Sequence, residues 1–449
     1  MKSNRVWKRA IVIGAGIGGL SAAAALSRYF SEVVLLERDA FPPGAGSRAG
    51  VAQDRQPHLW LSAGSQMLES LLPGIERDLL QAGAVSVNCF REVRYERPDV
   101  GALPARDCGL TFLCATRPLV EQLLRQRVAS IHNVTLRPSC RVTEITTDAI
   151  RRRVKFEIEG RELSSMNADL VVDASGRAVP TLALLDSLGW ARPVETTVGV
   201  DISYTTFVMA QPPANSYESK IIVTLPDPSV SAQAGLIMPI EDGRCFVGIA
   251  EHGATERPKT WQELLSILRR LQTTTIYNEV CNLQPIDGPR HFVFDESRWR
   301  HFELLDRLPY GVLPIGDSIC RFNPIYGQGQ SVAALQAGLL GDVLASVAEE
   351  VDPIGLLQSR FMANTAELLE TPWNLGVNAD FAFPTTRGQR PERYEEGRQF
   401  EANLFRAVAA DPVVHRAFAN VMHLTEGFGS LHDPDIQQRI EMHAMPEGM

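Results

Sequence analysis

RAIVIGAGIGGLSAAAALSRYFSEVVLLERD, residues Arg9 to Asp39, decides the fold. Arg9 to Ile13 is a short apolar run that ends in a glycine turn. An alanine-rich stretch, Ser21 to Ser27, then suits a helix, and EVVLLERD suits a second buried strand ending at Glu37. This is the order strand, glycine turn, helix, strand. Gly14, Gly16 and Gly19 occupy the GxGxxG positions. In that arrangement the first glycine allows a tight turn and the second lets the backbone approach a pyrophosphate. The third lets helix and strand pack closely. The helix N-terminus offers free N–H groups and a positive dipole end to phosphates. Glu37 lies 18 residues beyond Gly19, near the ~20 expected of a carboxylate that takes ribose hydroxyls. Arg38 beside it completes this end of the expected cofactor site. The motif alone specifies a dinucleotide and leaves FAD and NAD both open.

Composition sets the frame for the rest of the chain. The 449 residues carry a formal charge of −9, with 45% apolar and 22% charged residues, which excludes a disordered chain. The acidic balance argues against nucleic acid as a partner. No apolar run approaches the ~20 residues that span a bilayer, so no stable membrane insertion is expected. The N-terminal apolar run reads as a first strand and not as a signal peptide. The seven cysteines are odd in number, and no two form a CxxC pair. They read as reduced thiols of a cytoplasmic protein, with no zinc or other metal site.

A second signature lies far downstream: PYGVLPIGDSICRFNPIYGQGQS, residues 309 to 331. Val312 to Ile315 reads as a strand, Gly316 and Asp317 end it, and a helix begins near Gln328. An acid at a strand end suits a ribityl hydroxyl. A Gly-Gln-Gly helix start aims backbone N–H groups at a developing anion.

GxGxxG at Gly14 followed by GD and NPxxGQG from Gly316 resembles the single-component FAD-dependent aromatic hydroxylase superfamily, the p-hydroxybenzoate-hydroxylase-like flavoproteins. The resemblance implies a Rossmann-type, glutathione-reductase-like FAD-binding domain of α/β class. It carries an inserted antiparallel-sheet substrate domain and a helical C-terminal region. It implies that Asp317 holds the ribityl chain, that Pro324 lies against the isoalloxazine, and that Gly327, Gln328 and Gly329 face its pyrimidine side. Pro324, Tyr326 and His58 form the candidate catalytic set. Where the commonest form of the motif has histidine, this chain has Cys320, as in a branch similar to 2-polyprenyl-6-methoxyphenol hydroxylases and polyether olefin epoxidases. In RAGVAQDRQPHLWL, residues 48 to 61, Gln53, Arg55 and His58 match that branch.

Two further segments join the expected site. ADLVVDASGRAVP puts Asp173 at a strand end, where the superfamily has a cofactor-proximal Asp; the alternative reading is an Asp that caps its own turn. CATRPLVEQLLRQRV puts Arg117 before Pro118 at a helix start, where the family has an Arg near FAD. From about Val198 to His252 strands predominate, residues 259 to 274 look helical, and the chain is mostly helical beyond Asp352. The FAD-binding domain thus takes residues 1–80, 101–180 and 295–350. The substrate sheet takes 81–100 and 181–294, and the helical region takes 351–449.

The activity implied is an FAD monooxygenase using NADPH or NADH. It moves one oxygen atom of molecular oxygen, by way of a C4a-hydroperoxyflavin, onto an alkene or aromatic ring of a lipophilic small molecule of secondary metabolism. A monomer or homodimer is expected. The DASGR turn also resembles geranylgeranyl-reductase-like enzymes, so a reductase of isoprenoid double bonds is the alternative. A non-catalytic flavin-binding protein stands behind it. A halogenase would need a WxWxIP segment, which the chain does not contain.

Overall fold

In the computed structural model, Trp7–Ile13 forms the middle of a five-stranded sheet. The model describes residues 7–444 except 49, 52, 54, 148–150, 213–217 and 254–256. The strand order is Val312–Pro314, Leu170–Asp173, Trp7–Ile13, Phe30–Leu36 and Val134–Arg137, every pair parallel. Parallel strands are covered on both faces, which explains why they read as unbroken apolar runs. One cover is the helix Ile17–Leu26, packed on the long helix Gly329–Val347. The other is an antiparallel meander of Cys140–Thr147, Arg152–Ile158 and Glu162–Ala168, whose Val154 and Phe156 pack on Ile11, Val34 and Val171.

The second large sheet has eight strands. Its order is Cys320–Arg321, Asp287–His301, Val194–Ala210, Arg244–His252, Gln233–Ile240, Ile221–Thr224, Val93–Arg97 and Gly101–Ala102. The two-residue period divides its faces. Phe207, Met209, Ile222, Ile237, Cys245 and Val247 point one way and pack on the helices Trp261–Leu268 and Thr275–Val280. Their neighbours in sequence point the other way. Registered pairs carry that second face across the sheet: Phe292 opposite Tyr204, Tyr204 opposite Ala250, Ala250 opposite Ala234, Leu236 opposite Val223 and Val223 opposite Tyr95.

Two expectations need correction. The helix expected over residues 259 to 274 stops at Leu268. The reason is tertiary: Thr273 and Thr275 give their hydroxyls, with Thr224, to the buried carboxylate of Glu96. Burial pushes the Glu96 pKa up, but these hydroxyls and Arg94 outweigh it and leave it lowered. Three β-branched residues in a row already disfavour a helix, and Glu96 settles the matter. The apolar helix Gly329–Val347 is also long and apolar enough to cross a membrane by length and composition, at 19 residues and mean hydropathy 1.2. Of that window 61% is buried inside the fold, so its apolar surface is consumed by packing against Ile17–Leu26, Ser62–Leu71 and Pro353–Asp380.

The C-terminal helices are Pro353–Asp380, Tyr394–Ala410, Pro412–Met422 and Pro434–Met442. Phe405, Phe418 and Val421 from them close over Phe90, Phe112, Ile221 and Met238. The sheet's second face is thereby enclosed. All seven cysteines are free thiols.

Candidate active site

The glycine turn is built by exclusion. A Cβ on Gly14, whose φ is +101°, would fall 2.6 Å from the Ala174 carbonyl oxygen. One on Gly19 would fall 1.9 Å from the Gly14 carbonyl oxygen. Gly16 precedes the helix in extended conformation and places no side chain on the first-turn amides. A Cβ there would meet only the Arg117 guanidinium, at 4.0 Å. Those amides and Arg117 face a cavity.

Arg117 is held by a buried chain of charges. Its Nε donates to Glu121 Oε1 at 2.9 Å, and Glu121 Oε2 accepts from Arg48 at 2.6 Å. Arg48 reaches Glu37 Oε2 at 3.1 Å. Burial pushes the Glu121 pKa up, but Arg117 and Arg48 overcome this and hold the carboxyl below its usual range. Glu37 also accepts from the amides of Ala15 at 2.7 Å and Asp39 at 2.9 Å. A carboxylate has about four acceptor positions. Three are therefore taken within the protein, and the remaining one suits a ribose hydroxyl.

The second motif forms the opposite wall. Gly316 turns at φ +66° and gives its amide to Gln336, which leaves the Asp317 side chain open to the cavity. Asp317 sits deep, and that depth raises its pKa despite Arg117, Arg321 and Arg300. The 3₁₀ turn Pro324–Tyr326 is capped by Asn323, whose Oδ1 accepts from the Ile325 amide at 3.2 Å. Gly327 takes the left-handed conformation, φ +66°, and Gly329 would have nothing within 4 Å of an added Cβ. Gln328, at the helix start, is buried with its Oε1 unpaired among the described residues.

One cavity of about 1540 Å³ joins all the expected site residues except Gly19 and Asp173. Gly19 serves the packing already described. Asp173 is the correction: it is fully buried, and its carboxylate accepts from Ser175 N at 3.0 Å and from Thr181 N and Oγ1 at 3.2 and 2.6 Å. It caps its own turn, and its neighbours Ala174 to Arg177 face the cavity instead. His58 lines the cavity with Nε2–H donated to the Gln53 carbonyl at 2.8 Å. Burial, with Arg117 nearby, brings its pKa down to about 4, so the ring is neutral. Cys320 is buried, and burial pushes its thiol far up, which makes it packing and not a nucleophile.

Several functional residues were not visible beforehand. Arg48 and Glu121 were read only as members of their segments. Asp380, at the end of the helix Pro353–Asp380, accepts from Tyr326 OH at 2.7 Å and Asn323 Nδ2 at 2.9 Å. Burial raises its carboxyl to about 7, against the lowering of those two bonds. Tyr204 OH donates to Asn323 Oδ1 at 3.3 Å, which links the sheet to the same cluster. No motif marks these positions, because each matters only through a contact distant in sequence.

The residues present fit FAD. Single-ligand pockets hold about 300 to 1,000 Å³, so 1540 Å³ accommodates a dinucleotide and a second molecule. An uncapped helix start, the Glu37 and Asp317 carboxylates and side-chain-free glycines at Gly327 and Gly329 line this one cavity, and they suit the phosphates, hydroxyls and ring of such a dinucleotide. Together they define the fold of a flavoprotein whose cofactor cradle and mostly apolar sheet face share one cavity.

Comparison with known proteins agrees. Residues 10–183 match the family model of the FAD dependent oxidoreductases. The chain is 31% identical over 437 residues to Protein Rv3254 of Mycobacterium tuberculosis, covering 91% of this chain and 88% of that one. Among solved structures, it resembles a flavoprotein/dehydrogenase from Cytophaga hutchinsonii with TM-score 0.68 and 15% identity over 97% of each chain. It also resembles p-nitrophenol 4-monooxygenase PnpA from Pseudomonas putida DLL-E4, with TM-score 0.67 and 16% identity over 93% of this chain and 98% of that one. The chain belongs to one family with Protein Rv3254, carries an FAD dependent oxidoreductase region over residues 10–183, and has the fold of FAD-dependent monooxygenases.

Proposed function

We propose that the protein is an FAD-dependent monooxygenase that takes NADPH or NADH as reductant and places one oxygen atom on an alkene or aromatic ring of a lipophilic small molecule. The observation that carries this reading is the continuity of the cavity. Gly16 and its neighbours, the apolar residues under the sheet and Pro324 to Gly329 all line one cavity. When bound there, FAD supplies the electron transfer to oxygen.

The chain's own residues do the rest. The amides at the start of Gly329–Val347 stabilise negative charge on whatever faces them. Pro324 offers a flat apolar surface without an N–H. Asp380, through Tyr326 and Asn323, fixes the turn that carries them. The second sheet face and the C-terminal helices exclude water, which strengthens each polar contact inside. Arg117 and Asp317 hold opposite ends of the cofactor's charged and hydroxylated chain.

The test uses the flavin-loaded protein, NADPH and ¹⁸O₂ with a panel of phenols and alkenes. Products heavier by a single ¹⁸O atom are expected. A product that gains two hydrogens and no label would overturn this reading in favour of the double-bond reductase. Flavin release without turnover on any panel member would favour a binding protein.

A further inference from the structure

We infer that the cavity takes a substrate elongated across the strands of the eight-stranded sheet, and that Ala250 and Ala234 keep the passage for it open; this deepens the monooxygenase reading of the same cavity and rests on it. Tyr204, Ala250, Ala234, Leu236, Val223 and Tyr95 all line the cavity. They sit on five neighbouring strands. Tyr204 marks one end, because its hydroxyl reaches Asn323 at the Pro324–Tyr326 turn. Tyr95 marks the other, edge-on to Phe90 with centroids 6.2 Å apart. Neighbouring strands lie about 4.8 Å apart, so the four spacings make a row of about 19 Å. Along the strands the same face is shorter. On Arg244–His252 its lining residues are Gly248, Ala250 and His252. Phe246 stops it on one side, buried in the core with Ile221 and Met238. On the other side the His252 ring lies flat on Phe383, with centroids 3.8 Å apart and planes 10° from parallel. The strand from Gly248 to His252 measures about 13 Å at the usual rise.

The residue choice along the row points the same way. Strands favour β-branched and aromatic residues, and alanine is depleted in them. Yet Ala250 and Ala234 stand opposite each other in register. The other faces of these two strands carry Val247, Ile249 and Ile237, all packed in the core. The small pair is therefore particular to the cavity face. Each alanine keeps 7% of its surface exposed, and Tyr204, Leu236, Val223 and Tyr95 are half-buried, so a ligand reaches every member of the row. A larger side chain at Ala250 or Ala234 would divide the row in two. Between its aromatic ends the row is aliphatic, which suits contact by area and not by hydrogen bonds. A single ring fills only a part of it. The substrate class is therefore an extended apolar chain, roughly 12 to 15 carbons long at C–C bonds of about 1.5 Å.

Calorimetric titration of the flavin-loaded protein with hexanol, octanol, decanol, dodecanol and tetradecanol tests this. Affinity should rise about threefold per added methylene as far as dodecanol and level off beyond it. Ala250→Leu should leave hexanol binding unchanged and weaken dodecanol about 50- to 100-fold, the worth of roughly four methylenes. Val223→Trp, further along the row, should weaken dodecanol about tenfold, for roughly two methylenes. A native series that levels off at hexanol would overturn the elongated substrate. So would an unaltered series in folded Val223→Trp, which decides the matter even where Ala250→Leu does not fold. The two readings of the cavity fail separately. A rising series with no ¹⁸O incorporation removes the oxygenase and keeps the elongated ligand, and a labelled product with a flat series does the reverse.

Discussion

The two ends of the cavity are built on different principles. At the glycine-turn end the charged groups are mostly satisfied by the protein: Glu37, Arg48, Glu121 and Arg117 form a linked chain, and Asp173 is consumed by its own turn. Around the Pro324–Tyr326 turn and the sheet, single atoms stand unpaired among the described residues: Gln328 Oε1, Asp380 Oδ2 and His252 Nδ1. Linked charges hold the first region in one arrangement, whereas the second keeps buried polar atoms that the fold itself does not pair.

The largest effect that would break this comparison is Glu121→Ala. It should cost about 3–5 kcal/mol, because it leaves Arg48 and Arg117 short of their buried partner; chemical denaturation of the apo-protein measures it. If the cost is under ~1 kcal/mol, the charge chain is not preorganising anything.

Asp380→Asn comes next and concerns the open end. The native carboxyl titrates at about 7, above its unfolded value. Between roughly pH 4 and pH 7 the folded state therefore holds a proton that the unfolded state has released, and native stability falls as pH rises through that window. Asn does not titrate. The variant should match the native protein near pH 4 and exceed it by up to roughly 4 kcal/mol above pH 7, read from melts across pH. A constant difference would mean that Asp380 is ionised throughout.

Asp317→Ala should weaken flavin retention about 10- to 100-fold, as for a lost charge-assisted hydrogen bond, measured as FAD released on desalting. Full occupancy would remove Asp317 from the site. The smallest effect is that of Tyr204→Phe, which removes one partly exposed hydrogen bond to Asn323 and should cost about 1 kcal/mol, with no change in flavin content.

The legibility of the molecule follows the same division. The parallel sheet and glycine turn were readable because backbone geometry imposes residue types at fixed spacing: Gly14 and Gly19 have no room for a Cβ. The second motif was readable for the same reason at Gly316, Gly327 and Asp317. What escaped was tertiary. The helix stops at Leu268 and a new one starts at Thr275, because the hydroxyls of Thr273 and Thr275 both go to Glu96. Asp380 and His252 lie in VNAD and AEHG, which carry no local signal, and acquire meaning only from Tyr326 and Phe383. Asp173 shows the reverse: a motif position whose local turn takes all that its carboxylate can accept.

The end of the helix Pro353–Asp380 has one more consequence. It delivers Asp380 to the flavin-side turn, and within three residues it delivers Phe383 to the back of His252. One short stretch of the tail thus fixes both the Pro324–Tyr326 turn and the plane of the His252 ring. Whatever shifts the end of this helix therefore moves two walls of the cavity together, the turn and the sheet edge.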